Sequence, residues 1–268
     1  MHNAVLAEMS QSYHRFAGWK YHAFDIEPGD LAPALRKMGA LGFQGVNLTV
    51  PHKVLAVGMV TRLDVKAKDA GAVNTLLRDG DGWQGFNTDG YGLATGIRLE
   101  LGLSLRNTPV VLLGAGGAAR GAAVECLRSG CAGLWIMNRS RPHLDSLLAQ
   151  LAPIAGKIPI HTLKPGAPAE GLAKGAIVIN ATSVGLKAGE PAPVDLANLP
   201  GIAAVYDMIY NPPLTQLLAQ AKALGLPFAN GLGMLVHQGA RAFEIWTELP
   251  ASETAPIMRE AAAKALGS

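Results

Sequence analysis

The sequence predicts an α/β fold whose second half forms a doubly wound parallel sheet. Beyond residue 108, short apolar runs typical of buried strands alternate with segments of helical periodicity. The 32 glycines suit many tight turns between strands and helices. The chain is 49% hydrophobic and only 16% charged, so it can bury a sizeable core and is not a disordered protein. Its 268 residues allow one large or two ordinary domains.

The first 101 residues predict a mixed region of helices and strands. Apolar residues at Leu31, Leu35, Met38 and Leu41 have spacings of four, three and three, which suit one face of a helix. The predicted helices are Ala4–Phe16, Leu31–Leu41 and Gly90–Leu101. The predicted strands are Trp19–Ile26, Phe43–Val50, Ala72–Leu77 and Trp83–Phe86.

The rest of the chain predicts a regular alternation of strands and helices. The predicted strands are Val110–Leu113, Leu134–Met137, Ile158–Leu163, Ala176–Asn180, Ala203–Asp207 and Pro227–Ala229. The predicted helices are one that ends at Arg128, then Pro142–Leu151, Leu214–Leu224, Gly231–Trp246 and Ala251–Ala265. We expect a domain boundary near residue 98. Residues 1–98 and 99–229 would then form two domains, with residues 230–268 returning to the first.

Composition excludes several classes of protein. A net charge of +3 without a dense run of Lys or Arg gives no reason to expect nucleic acid as a partner. Cys126 and Cys131 cannot build a disulfide scaffold, which favours the reducing cytoplasm. The seven histidines have no metal-binding spacing, so no metal is expected. The longest uncharged run, Ala223–Ala240, contains Pro and Gly and is a poor membrane span, and the N-terminus lacks the basic region of a secretion signal.

A glycine-rich turn after the first strand of the second half predicts a dinucleotide site. Gly114 permits a tight turn, Gly116 lets the backbone approach a pyrophosphate, and Ala119 allows close packing of helix on strand. The start of the following helix offers free N–H groups to phosphates. An ordinary strand–helix turn is the alternative interpretation. The predicted cofactor contacts here are Gly114, Ala115, Gly116, Gly117 and Ala118.

The next strand favours NADP over NAD. An NAD site places Asp or Glu about 20 residues after the glycines, to hold the ribose hydroxyl. Here the strand is followed by Asn138, Arg139, Ser140 and Arg141, and the first acid is Asp145. Arginine binds a 2′-phosphate by charge-assisted hydrogen bonds, which a carboxylate would repel. The alternative is that these arginines simply face solvent.

Three polar clusters follow apolar segments in the first half. They are Gly45-Val46-Asn47-Leu48-Thr49-Val50-Pro51-His52-Lys53, Val73-Asn74-Thr75 and Asn87-Thr88-Asp89-Gly90. Each has an ordinary explanation when taken alone. The third looks like a helix N-cap, Lys53 resembles a surface lysine, and Asn74 resembles a turn residue.

Together these clusters resemble the shikimate dehydrogenase family, in the order in which its members carry them. The resemblance spans nearly the whole chain. It continues through the glycine-rich turn, Asn138-Arg139-Ser140, Asn180-Ala181-Thr182-Ser183, Tyr206-Asp207-Met208-Ile209-Tyr210 and Gly231-Leu232-Gly233-Met234-Leu235-Val236-His237-Gln238.

The resemblance implies a substrate domain, a Rossmann-type NADP-binding domain, and the reversible reduction of 3-dehydroshikimate to shikimate by NADPH. It makes Lys53 the proton donor and acceptor and Asp89 its partner. By the same resemblance, Asn47, Thr49, Asn74, Tyr210 and Gln238 bind substrate, while Thr182, Ser183, Met208 and Gly231 contact the cofactor. The expected partner is a small molecule only, and the expected assembly is a monomer or homodimer.

One departure from the family pattern lies at the start. Family members carry a strand and a Ser-x-Ser-Pro turn before the Met-His-Asn that here is Met1 to Asn3. A start assigned at an internal Met, a truncated chain and a degenerate family member are three explanations, of which we favour the first. We expect this chain to be weakly active or unstable, because an unpaired strand edge is costly.

Two alternative functions remain beside an NADP-dependent shikimate dehydrogenase. They are a quinate/shikimate dehydrogenase using NAD(P) and a non-catalytic NADP-binding relative.

Overall fold

The computed structural model describes residues 1–166, 169, 171–187 and 189–267. The chain divides into two compact units, each with its own core. The first unit comprises Met1–Gly92 and Val236–Ser268, and the second comprises Leu93–Leu235. The domain boundaries predicted from the sequence, at residues 98 and 229, refer to the substrate-binding and cofactor-binding domains and stay a prediction.

The elements run in chain order as follows. The helices are α1 (His2–Ser12), α2 (Leu31–Ala40), α3 (His52–Leu55), α4 (Val65–Ala70), α5 (Asp89–Leu101), α6 (Gly117–Arg128), α7 (Arg141–Ala155), α8 (Gln216–Ala223), α9 (Leu232–Thr247) and α10 (Ala251–Leu266). The strands are β1 (Gly45–Asn47), β2 (Arg62–Leu63), β3 (Thr75–Asp79), β4 (Gly82–Phe86), β5 (Pro109–Leu113), β6 (Gly133–Met137), β7 (Ile160–Leu163), β8 (Ala176–Asn180), β9 (Ile202–Asp207) and β10 (Phe228–Ala229).

The first unit is built on a four-stranded mixed sheet in the order β1-β3-β4-β2. The pairs β1–β3 and β3–β4 are antiparallel, and β2–β4 is parallel. Two indole N–H groups tie helices to this sheet. Trp83 donates to the carbonyl of Leu35 at 3.2 Å, and Trp246 donates to that of Leu76 at 2.8 Å. A side chain at Gly45 would collide with the Trp246 indole, which explains the glycine there.

The predicted strand Trp19–Ile26 is wrong. This segment carries no strand ladder, and the backbone of Tyr21 is paired by a side chain instead. The Tyr21 N–H donates to Asn3 Oδ1 at 2.7 Å, and Asn3 Nδ2 donates to the Tyr21 carbonyl at 2.9 Å. The amide of Asn3 therefore supplies both hydrogen bonds that a neighbouring strand would have made to Tyr21.

Other boundaries in the first unit also differ from expectation. The first helix ends at Ser12, and a separate short 3-10 turn covers His14–Phe16. The predicted strand Phe43–Val50 is reduced to Gly45–Asn47. The short elements α3, α4 and β2 were not predicted, because each is too short to show a periodicity.

The second unit is a six-stranded parallel sheet in the order β10-β9-β8-β5-β6-β7. Renumbered within the unit, this is the order 3-2-1-4-5-6 of dinucleotide-binding folds, with the order reversing between β5 and β8. One core, which includes Leu112 and Ile136, packs against α6 and α7. The other, which includes Val111 and Val178, packs against α8. The predicted fold class is confirmed.

The two thiols are buried packing groups. Cys126 and Cys131 are both free. Burial raises the pKa of the Cys126 thiol well above its usual range, and raises that of Cys131 to about 11. Both are therefore protonated at neutral pH and poorly nucleophilic. Within the described ranges, no helix combines the length and apolar character needed to cross a membrane.

Candidate active site

The first unit brings Lys53 and Asp89 into contact. Lys53 lies on α3 and Asp89 is the first residue of α5, with Nζ and Oδ2 2.7 Å apart. The Asp89 N–H donates to Asn87 Oδ1 at 3.0 Å, which fixes the start of the helix. The two side chains are 24% and 21% exposed, so the pair is partly shielded yet open to a small molecule. A cationic donor beside a carboxylate is suited to proton transfer.

Asn74 holds the other oxygen of Asp89. Its side chain is buried, and its Nδ2 lies 2.9 Å from both Asp89 Oδ1 and Thr88 Oγ1. Gln238 Oε1 lies 3.4 Å from the same nitrogen, which has only two hydrogens to share among these acceptors. Asn74 Oδ1 accepts from the Thr88 N–H at 2.8 Å and from Thr75 Oγ1 at 3.0 Å. These contacts give Asn74 a role in orienting Asp89, and its contact with a substrate hydroxyl stays a prediction.

The network continues to Asn47 and Tyr21. Asn47 Nδ2 donates to the Asn74 carbonyl at 3.2 Å and to Thr75 Oγ1 at 3.1 Å, and its Oδ1 accepts from the Tyr21 hydroxyl at 3.1 Å. Burial raises the pKa of Tyr21, so its hydroxyl remains a donor. The Asn47 amide is thus engaged at both ends by the protein. Thr49 is exposed on the loop between β1 and α3. Substrate binding by Asn47 and Thr49 stays a prediction.

The glycine-rich turn of the second unit fits a pyrophosphate. Gly114 has φ +113°, and a Cβ there would lie 3.1 Å from the Ala181 carbonyl oxygen and 3.2 Å from Thr182 Cγ2. A Cβ at Gly116 or Gly117 would meet nothing within 4 Å, so space is open beside the turn. Helix α6 begins here without a side-chain cap, which leaves its first N–H groups available to an anion.

The arginines after β6 differ in their surroundings. Arg141 forms an ion pair with Asp145, with Nε 2.9 Å from Oδ1. Arg139 is exposed and contacts no acid within the described part of the chain. Asn138 Nδ2 donates to the Ser140 carbonyl at 2.7 Å and shapes this turn. Arg139 therefore lacks an acidic partner among the described residues, and its contact with a 2′-phosphate stays a prediction.

The loops after β8 and β9 carry the remaining predicted cofactor residues. The Met208 N–H donates to the Asn180 carbonyl at 3.0 Å, which extends the pairing of these strands. A side chain at Gly231 would collide with the Met208 carbonyl, so only glycine fits. Ser183 and Tyr210 are exposed. With the glycine-rich turn, these loops occupy the carboxyl edge of the parallel sheet, where ligands bind in such folds.

In the second unit, Asn180 Nδ2 donates to Asp207 Oδ1 at 3.0 Å, which links the ends of β8 and β9. Five residues important to the hydrogen-bond networks of the two units had no assigned role in the sequence-based prediction. They are Tyr21, Thr75, Thr88, Asn180 and Asp207. A signal was present for the last two, because each is a polar residue that ends an otherwise apolar strand. Among the residues the structure describes, no group of three or more His, Cys, Asp or Glu could hold a metal ion.

Two family models match the chain. The shikimate dehydrogenase substrate binding domain matches residues 1–76, and the shikimate 5′-dehydrogenase C-terminal domain matches residues 231–263. The shikimate dehydrogenase (NADP(+)) of Symbiobacterium thermophilum is 39% identical over 250 residues, which cover 92% of this chain and 83% of that protein.

Two solved structures are similar throughout. Shikimate 5-dehydrogenase from Thermus thermophilus, in complex with NADP(H) and shikimate, has a TM-score of 0.80 at 32% identity, over 96% of this chain and 93% of that one. The ligand-free 5-ketofructose reductase of Gluconobacter sp. strain CHM43 also has a TM-score of 0.80 at 32% identity, over 96% and 92% of the two chains. Sequence identity over nine-tenths of the chain, together with the fold and the retained motifs, shows that this protein belongs to the shikimate dehydrogenase family.

Proposed function

We propose that this chain is an NADP-dependent oxidoreductase that interconverts 3-dehydroshikimate and shikimate. The balanced reaction is 3-dehydroshikimate + NADPH + H⁺ ⇌ shikimate + NADP⁺, a step in aromatic amino-acid and chorismate biosynthesis. The observation that carries the proposal is the Lys53–Asp89 pair at 2.7 Å, held by Asn74, in a chain of this family.

Lys53 acts as the proton donor. Reducing a carbonyl carbon builds negative charge on its oxygen, and a positioned donor must neutralise that charge. The Lys53 ammonium gives its proton to the oxygen, and in the reverse direction Lys53 takes the proton back. Asp89 holds the Lys53 amine in place, and Asn74 holds Asp89 through its other oxygen. NADPH, when bound, supplies the reducing equivalents.

The second unit binds the cofactor. The open start of α6 at Gly116 and Gly117 receives the pyrophosphate, because its N–H groups and helix dipole favour an anion. Arg139 binds the 2′-phosphate, since Arg141 is already paired with Asp145. The rest of the cofactor site is formed by Thr182, Ser183, Met208 and Gly231.

The substrate is held by polar groups of different kinds. Gln238 binds ring hydroxyls and Thr49 binds the carboxylate end. Asn74, which is buried and bonded to Thr88 and Asp89, orients Asp89. Asn47 supports this site through Thr75 and Asn74. Quinate is an alternative substrate that differs in few groups. Reduction of a sugar ketone is a second candidate function, because the Gluconobacter reductase is as similar in structure as the Thermus enzyme.

Initial rates separate these candidates. We expect NADP⁺ reduction with shikimate to exceed the rate with quinate, the rate with NAD⁺, and the rate of NADPH oxidation with 5-ketofructose. A Lys53→Ala protein purified in parallel controls for contaminating host enzyme. A larger kcat/KM for quinate or 5-ketofructose would assign the chain to that substrate instead.

We further propose a cytoplasmic monomer or homodimer. Two buried, unpaired thiols support a reducing compartment. Light scattering coupled to size exclusion gives the mass directly, and a tetramer or larger species would contradict the proposal. Fractionation of cells that carry the tagged chain tests the location.

A further inference from the structure

Asp207 is a buried carboxylate held by three donors at the end of β9. Its side chain is 0% exposed. It accepts from Asn180 Nδ2 at 3.0 Å, from the Ile209 N–H at 3.0 Å and from Thr215 Oγ1 at 2.7 Å. Burial raises the pKa of this carboxyl, and the three hydrogen bonds oppose that shift. A carboxyl group in the interior is costly unless its hydrogen bonds are made, and here they are made.

Asn180 extends the arrangement to the neighbouring strand. It is also fully buried, and it lies opposite Asp207 in the register of β8 and β9. Its Oδ1 accepts from the Thr182 N–H at 3.0 Å and from Thr182 Oγ1 at 2.8 Å, while Nδ2 also reaches the Val184 carbonyl at 3.3 Å. One amide therefore fixes the loop after β8 and links it to Asp207.

The two loops joined in this way carry proposed cofactor contacts. Thr182 and Ser183 follow β8, and Met208 directly follows Asp207. Both loops lie at the carboxyl edge of the sheet, where a parallel α/β fold binds its ligand. Packing alone does not call for a buried carboxyl here, because well-packed apolar groups are often as stabilising as buried charged ones. The network instead imposes one geometry on both loops.

We infer that Asp207, together with Asn180, is a positioning residue for NADP(H). The pair holds Thr182 and Met208 in register with each other, and so sets the shape of the part of the cofactor site that these two loops form. This inference rests on the proposed function. A misplacement of about 1 Å at such a site can cost about 10²-fold in rate.

Asp207→Ala is the direct test, since it removes the acceptor of all three donors, Asn180 Nδ2, the Ile209 N–H and Thr215 Oγ1. We expect the Kd of NADPH, measured by fluorescence titration, to rise about 10- to 100-fold, and the KM of shikimate to stay within about twofold. Leu147→Ala is the matched control, because Leu147 is fully buried on α7 and belongs to neither loop. It should lower the melting temperature without changing the Kd of NADPH.

A second pair of variants keeps the test decisive if Asp207→Ala does not fold. Thr215→Val keeps the shape of Thr215 and removes its bond to Asp207 together with its cap on the Leu218 N–H of α8, whereas Thr215→Ser retains the hydroxyl for both. We expect a rise of about tenfold in the Kd of NADPH for Val and recovery to within about twofold for Ser. The inference is overturned if Val lowers the melting temperature, as Leu147→Ala does, while leaving the Kd unchanged. Wild-type protein that binds NADPH but does not turn over shikimate would overturn the proposed function alone.

Discussion

Replacing Lys53 by Ala removes the proposed proton donor and leaves its surroundings in place. Lys53 Nζ lies 2.7 Å from Asp89 Oδ2, and Asn74 remains bonded to the other carboxylate oxygen. Because the Asp89 side chain is 21% exposed, water can solvate the oxygen that loses its partner. We therefore expect the damage to fall on catalysis far more than on folding.

The expected loss of rate follows from the proposed role of Lys53 as a general acid. A positioned general acid contributes about 10²- to 10⁴-fold, which corresponds to roughly 3–6 kcal/mol of activation free energy at about 1.4 kcal/mol per factor of ten. The lost ion pair is partly exposed, so its contribution to the free energy of unfolding is about 1 kcal/mol or less. For a chain of this size, that lowers the melting temperature by only about 2–4 °C.

The assay is the initial rate of NADP⁺ reduction by shikimate across a pH series. Lys53→Arg is the informative companion, because a guanidinium keeps the contact with Asp89 but does not release its proton. It should lose activity as Ala does while keeping the wild-type melting temperature. Lys37→Ala, an exposed lysine on α2, controls for loss of one positive charge. Turnover of Lys53→Ala within about tenfold of wild type would refute the assigned role.

Three further predictions concern other parts of the molecule. Gly114→Ala should weaken NADPH binding and lower the melting temperature, because Gly114 has a positive φ and the added Cβ would crowd the Ala181 carbonyl. Gly121→Ala is the control, because the added Cβ would have open space on α6. It should stabilise the chain by about 0.5–1 kcal/mol. Arg139→Ala should raise the KM of NADP⁺ about 10- to 100-fold without affecting NAD⁺, and equal effects on both would contradict a 2′-phosphate contact. Burial and the nearby N-terminal charge lower the pKa of His2 to about 4 from about 6.5, so protonation favours the unfolded chain as the pH falls below 6.5. Urea unfolding should show about 2 kcal/mol lost between pH 7 and pH 5, and His2→Phe should lose less over the same interval.

The second unit was predicted well because its signals are local. Each buried parallel strand is a short apolar run, and each covering helix shows its own period, so neither depends on distant residues. The first unit was predicted less well, and the segment Trp19–Ile26 shows why. Its composition suits a strand, but a strand exists only where a partner strand supplies hydrogen bonds. Here Asn3 supplies those of Tyr21 instead.

In the candidate site, too, some features follow from the sequence and others depend on residues far apart in the chain. Motif order was enough to select Lys53 and Asp89, which the structure places in contact. It could not show that the Asn74 and Asn47 amides are engaged within the protein, since hydrogen-bond saturation depends on neighbours far apart in the chain. Nor could it show that Arg141 pairs with Asp145 whereas Arg139 contacts no acid among the described residues.

The sequence by itself therefore determined the parallel α/β class of the second unit, its glycine-rich turn and the pattern after β6 that favours NADP. These depend on residue type and on short spacings, which act through local geometry and charge. The family resemblance singled out Lys53 and Asp89, and their part in proton transfer stays a prediction. Only the tertiary structure decided which polar side chains are free to bind a ligand and which hold others in place. Asp207 is the clearest case, because its three donors come from two strand ends and a helix start that meet only when the sheet has formed.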